Sequence, residues 1–136
     1  MKRLTTPMSS SNKSFDAAAR TRVESLNKEA LGAVQSGKFA DAKQLLEQAL
    51  TLTEARSSQS SMSPEQRHWE THIRRLLRST TLNNFGVMFR SQGKLREAWA
   101  CCNRALKLDI VELQSGFGNP ATSHLNLCAI MSQMGK

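Results

Sequence analysis

The clearest hydrophobic pattern in the chain lies in LNNFGVMFRSQ, where Leu82, Phe85 and Phe89 fall three and four residues apart and so share one face of a helix. Gly86 lies on the same face. Beyond Gly93, the residues Leu95, Ala98, Cys102, Ala105 and Leu106 trace a second helical stripe. The pattern predicts two amphipathic helices joined by a tight turn, neither able to bury its apolar stripe alone.

This unit recurs. GKFADAKQLLEQALTL, starting at Gly37, matches GKLREAWACCNRALKL, starting at Gly93, in its Gly-Lys pair, an Ala five residues on, and a closing Ala-Leu-x-Leu. The register extends backwards, setting Leu26, Ala30 and Ala33 against Leu82, Gly86 and Phe89, and forwards to Gly135-Lys136. The steps are 56 residues and then 42. Gly37, Gly93 and Gly135 stand where a helix ends in a left-handed residue, which glycine adopts without steric cost. Gly86, with Ala30 and Cys128 in matching places, supplies the small residue needed where paired helices approach closely, and Ala42 and Ala98 answer it from the second helix.

The elements follow in order. Residues 1–14 are expected to be a disordered tail, and 15–56 a first, degenerate hairpin with helices from Phe15 to Ser36 and from Phe39 to Arg56. The Ser-rich stretch 57–63 cannot build a core and is expected to be a mobile connection. Ser63-Pro64-Glu65-Gln66 reads as a helix start, with Ser63 as N-cap and Gln66 completing a capping box. The helix it opens is expected to run to Gln92, its early residues Trp69, Ile73, Leu76 and Leu77 lying against the first hairpin. A second helix from Leu95 to Leu113 completes the unit 64–113. In 114–136, SGFG forms a turn, Asn119-Pro120 caps a helix from Ala121 to Met134, and Leu127, Ile130, Met131 and Met134 lack a hairpin partner. A longer parent chain, or packing of this helix on another chain, would cover them.

LNNFGVMFRSQGKLREAWACCNRALKL resembles a tetratricopeptide repeat, in which small and large residues alternate across a helical hairpin. Such repeats ordinarily recur about every 34 residues; the 42-residue step is similar to the longer repeats of kinesin light chains. The sequence departs from the family in placing Leu82 and Phe89 where tryptophan and tyrosine are common, and Glu29 where Phe85 stands one unit later. The resemblance implies an all-α fold, a right-handed solenoid of about two and a half repeats whose concave wall is built from the first helix of each unit. It also implies a non-enzymatic scaffold that binds an extended or acidic protein segment on that wall. On it Asn83, Asn84 and Asn126 would hydrogen-bond a peptide backbone, an amide being both donor and acceptor. Gln133 joins them, and Lys28 and Arg90 would attract acidic groups. The alternative makes the asparagines solvated polar positions. The carboxylate-clamp pattern of chaperone-binding relatives is incomplete, and a cytoskeletal, transport or ciliary setting follows only by analogy.

Charge adds a second class of function. The net charge is +8 and the pI about 10.0, and Arg67, Arg74, Arg75 and Arg78 gather on one stretch, which suits nucleic acid or an acidic polymer. The scatter of the other basic residues and the 5% aromatic content weaken the nucleic-acid reading, and an acidic protein partner explains the charge equally well.

Candidate chemistry is thin. His68 and His72 share a helix face, yet His68-Trp69-Glu70-Thr71-His72 puts Glu70 one place late for a zinc protease, and no third ligand is placed. His68, His72 and the lone His124 therefore read as structural or exposed. Cys101-Cys102 lies within a repeat helix, with Cys102 on its apolar stripe, and the odd count of Cys101, Cys102 and Cys128 fits a reducing, cytoplasmic compartment. No phosphate loop, nucleophile arrangement, catalytic residue, cofactor or metal site is expected, and no run is long enough to span a membrane.

Overall fold

A computed structural model describes residues 15–54, 63–116 and 118–135. They form an all-α protein of five helices: α1 (Ala17–Gln35), α2 (Phe39–Thr53), α3 (Pro64–Ser91), α4 (Leu95–Gln114) and α5 (Ala121–Gln133). The expected tail 1–14 and all but Ser63 of the expected connection 57–63 lie outside the described residues, as does Arg56.

Local chemistry sets the ends. Asp16 rather than Phe15 opens α1, its carboxylate accepting the Ala19 N–H at 2.9 Å, while Phe15 stays outside the helix and is buried. α2 stops at Thr53, three residues before the expected end. At α3 the capping box forms as expected: Gln66 N–H donates to Ser63 Oγ at 3.1 Å and Ser63 N–H to Gln66 Oε1 at 2.9 Å. Asn119 Oδ1 accepts the Ala121 N–H at 3.0 Å, starting α5 through the residue before Pro120.

The two Gly-Lys turns are built alike. Gly37 (φ 75°) donates to Val34 O and Lys38 to Ala33 O, while Gly93 (φ 79°) donates to Arg90 O and Lys94 to Phe89 O. Each is a Schellman close, with the left-handed residue one place past the cap. It reverses the chain within three residues and lays α2 on α1 and α4 on α3.

α3 is the spine, packing on all four other helices. One core joins Ala30, Val34, Ala42 and Leu46 of the first hairpin to Phe85 and Met88. A second gathers Phe15, Val23, Leu26 and Ala49, with Ile73 and Leu77 against them, so the early part of α3 lies on the first hairpin as its pattern suggests. Trp69 and Leu76 stand off that core, Trp69 being 52% exposed. A third core sets Leu127 and Ile130 against Ala98 and Cys102. α4 covers these two from the side opposite the expected hairpin partner; Met131 remains exposed and Met134 half-buried. Each large apolar side chain buried in this way contributes about 1.5–3 kcal/mol.

Gly86 sits where α3 and α4 touch. A Cβ there would lie 2.2 Å from Cys102 Sγ, so nothing larger than hydrogen fits the present packing. Its counterpart Cys128 is instead exposed. No helix among the described residues is long and apolar enough to cross a membrane.

Candidate binding groove

The asparagines expected to face a ligand are turned to neighbouring helices. Asn84 Nδ2 donates to Asn27 Oδ1 at 2.8 Å, and Asn27 Nδ2 donates to Thr81 Oγ1 at 2.9 Å. Forty-two residues after Asn84, Asn126 Nδ2 donates to Asn83 Oδ1 at 3.2 Å, while Asn83 Nδ2 donates to Ser123 Oγ at 2.9 Å. The two junctions are copies: Asn27 and Asn83 correspond by the 56-residue step, and Thr81 with Ser123, like Asn84 with Asn126, by the 42-residue step. At the second junction Ser123 Oγ also donates to Asp109 Oδ2 at 2.8 Å, tying α4 into the network.

Burial explains the pairing. Asn27, Thr81, Asn83, Asn84, Asp109 and Ser123 are all buried, and a buried amide or hydroxyl without a partner is costly. The expectation that Asn83 and Asn84 are outward-facing is therefore corrected: they pin α3 to α5 and to α1. A single sequence marks them as polar positions on a first helix but not the direction they point, because the partners sit 40 and 57 residues away.

The same residues floor a groove. A cavity of about 440 Å³ runs over α1, α3 and α5, with Leu31, Leu76 and Val87 as its apolar lining and Thr80, Thr122 and Asn126 among its polar lining. Asn83, Asn84 and Asp109 also line it. Lys28 and Gln133 are exposed and Arg90 is half-buried, and all three stand outside this lining.

No protein-family model, curated protein or solved structure matches the chain.

The arginine stretch is partly internal. Arg74 Nη1 donates to Thr53 O at 2.9 Å, satisfying a carbonyl at the end of α2. Arg75 Nη1 donates to Glu112 Oε2 at 3.1 Å, and Arg78 pairs with Glu54 at 3.6 Å. Arg74, Arg75 and Arg78 share a cleft with Glu54 and Leu108; Arg67, half-buried, is not part of its lining. Two carboxylates thus offset the charge expected to meet an anionic partner.

Glu112 is 1% exposed and is bonded on its other oxygen to His72 Nδ1, whose ring also meets His68 Nε2 at 3.0 Å through Nε2. His72 is thus a buried link between α3 and α4, a role that a 40-residue separation hides from the sequence. Among the described residues no group of three or more His, Cys, Asp or Glu side chains is placed to hold a metal ion. Burial raises the Cys101 thiol, and it raises Cys102 to about 11, helped by the neighbouring Cys101 and opposed by Arg90.

Proposed function

We propose that the chain is a non-enzymatic scaffold of the tetratricopeptide kind, which holds an extended segment of another protein in the groove over α1, α3 and α5. The observation that carries this reading is the groove itself, whose lining combines apolar Leu31, Leu76 and Val87 with polar Thr80, Thr122 and Asn126. An extended peptide presents side chains to alternate sides with free backbone groups between them, and a lining of mixed apolar and hydrogen-bonding character suits both. The repeated hairpin and its copied asparagine junctions support the solenoid arrangement, since in such folds each unit meets only its neighbours.

Peptide contact then falls to the exposed Thr80 and Thr122 and the half-buried Asn126, because Asn83 and Asn84 are buried and bonded to neighbouring helices. Lys28 and Arg90 act at longer range, favouring an acidic segment in a chain of net charge +8. A cytoplasmic, cytoskeletal, transport or ciliary setting belongs to this reading by its resemblance to kinesin-light-chain-type repeats. The second reading, an anionic polymer held at Arg74, Arg75 and Arg78, has their common cleft in its favour and their bonds to Glu54, Glu112 and Thr53 against it.

Affinity capture with mass spectrometry separates the two. Thr80 and Thr122 are exposed, so a Thr80→Arg, Thr122→Arg chain keeps its core while filling the groove, and it should lose the captured partners. Retention of those partners, with loss only on reversing Arg74 and Arg78 to Glu, would favour the second reading.

A further inference from the structure

α3 meets the first hairpin along one stripe: Ile73 and Leu77 in the apolar core, Thr81 and Asn84 bonded to Asn27, and Met88 buried beyond. Glu70 continues that stripe one turn earlier, where an apolar residue would be expected. It is 8% exposed, and neither carboxylate oxygen has a hydrogen-bond partner. A buried carboxylate left in this state is strongly disfavoured, and such a group calls for an explanation.

Beside Glu70 lies a cavity of about 350 Å³ between the start of α1 and the first turns of α3, lined also by Phe15, Asp16, Arg20, Trp69 and Ile73. Two carboxylates and one guanidinium give it a net negative lining in a chain of net charge +8. Arg20 is engaged with Glu24, its Nε 3.7 Å from Oε2. Asp16 Oδ1 receives the Ala19 N–H. Trp69 keeps half its surface exposed at the rim and Phe15 is buried at the base.

We propose that this cleft is a socket for the guanidinium group of an arginine side chain presented by a partner protein, with Glu70 as the carboxylate that receives it. Two unpartnered oxygens on one carboxylate match the parallel N–H pair of a guanidinium, which a single ammonium does not. The socket is distinct from the groove over α1, α3 and α5 and takes the opposite charge from the acidic segment proposed there.

The two tryptophans give the test an internal control, since Trp69 lines the cavity and Trp99 lies on α4. N-acetyl-arginine methylamide is titrated into the 15N-labelled full chain while both indole N–H signals are followed by NMR. The Trp69 signal should move saturably and the Trp99 signal should stay. N-acetyl-citrulline methylamide, of the same shape without the charge, and the Glu70→Gln chain with the arginine probe should each show binding weaker by about tenfold or more. The citrulline comparison needs no variant and so does not depend on how Glu70→Gln folds. Absence of a saturable Trp69 shift, or an undiminished response in Glu70→Gln, overturns the proposal. Equal binding of N-acetyl-lysine methylamide overturns the guanidinium assignment. A response seen only in Arg20→Ala would mean that the chain's own Arg20 fills the socket, which also overturns it.

Discussion

Asn84 donates its side-chain amide to Asn27 at 2.8 Å, joining the first helix of one hairpin to the first helix of the one before. Asn126 makes the same contact to Asn83, and the hydroxyls of Thr81 and Ser123 take the returning amides of Asn27 and Asn83. Each junction therefore carries two reciprocal side-chain hydrogen bonds in the same places. Their geometry fixes the stagger between successive first helices, which apolar contacts alone leave free to slide. The groove over α1, α3 and α5 lies on this floor, so its shape depends on residues that do not need to touch a ligand.

Truncating the middle of the ladder tests that dependence. Asn83→Ala removes the acceptor of Asn126 and the donor to Ser123, two hydrogen bonds lost together while Ser123 keeps its bond to Asp109, and should cost about 1–3 kcal/mol. Asn27→Ala and Asn84→Ala should each be destabilising, and together cost less than their sum by about 1 kcal/mol, because each single change already breaks their shared bond. Urea unfolding followed by circular dichroism measures all three. Strictly additive losses would mean that the pair does not interact in solution.

The close approach at Gly86 gives a second test. Alanine is a better helix former than glycine by about 1 kcal/mol, so at an open helical site Gly86→Ala would stabilise. Here the added methyl meets Cys102 Sγ at 2.2 Å, inside a fully buried contact, and overpacking of this kind costs about 1–3 kcal/mol. The net effect should be a lower melting temperature. Cys102→Ala in the same chain makes room for the methyl, and Gly86→Ala should then be neutral or stabilising. A rise in melting temperature for Gly86→Ala alone would show that α3 and α4 do not meet closely at Gly86 and Cys102.

The parts of this structure that follow from local pattern were legible in the sequence. Leu82, Phe85 and Phe89 announce a helix face, Gly37 and Gly93 announce its end, and Ser63 with Gln66 announces a start, because each depends on residues within one turn. The 56-residue step also located Gly86 at a contact between helices. What failed was direction on the first helix. Asn83 and Asn84 look like any exposed amide until Ser123 and Asn27 are brought beside them by the packing of three helices. Glu112 carries no local signal of its role either: only the fold sets it against His72 and Arg75.

That buried acid supports a third expectation. Glu112 holds His72 through one oxygen and Arg75 through the other. Glu112→Ala would remove the carboxylate that His72 and Arg75 share, open a cavity and release Arg75, and losses from breaking a buried pair run to about 3–5 kcal/mol. Because Arg75 is partly exposed and can return to water, the lower end of that range is expected. Glu112→Gln keeps the shape and one acceptor oxygen and should cost less than Glu112→Ala. Equal stability of Glu112→Ala and the parent chain in urea would remove this link from the account of how α4 is held.

The thiols make a last prediction, with a definite sign in pH. Cys102 is fully buried in the contact with Gly86, and burial raises its pKa from 9.0 to about 11, with Cys101 beside it pushing the same way. In the unfolded chain the thiol ionises near its ordinary value, so between pH 9 and pH 11 the unfolded state holds fewer protons than the folded one. Stability contributed by the neutral buried thiol is present below pH 9 and is lost as pH rises toward 11. Urea midpoints of the parent chain should therefore fall more steeply over that window than those of Cys102→Ala, and parallel curves would contradict the burial of this thiol. Alkylation by iodoacetamide near pH 8 gives an independent reading: the exposed Cys128 should react first, the half-buried Cys101 more slowly, and Cys102 only as the fold opens. Reaction of Cys102 at the rate of Cys128 in folded protein would show that α3 and α4 do not enclose it.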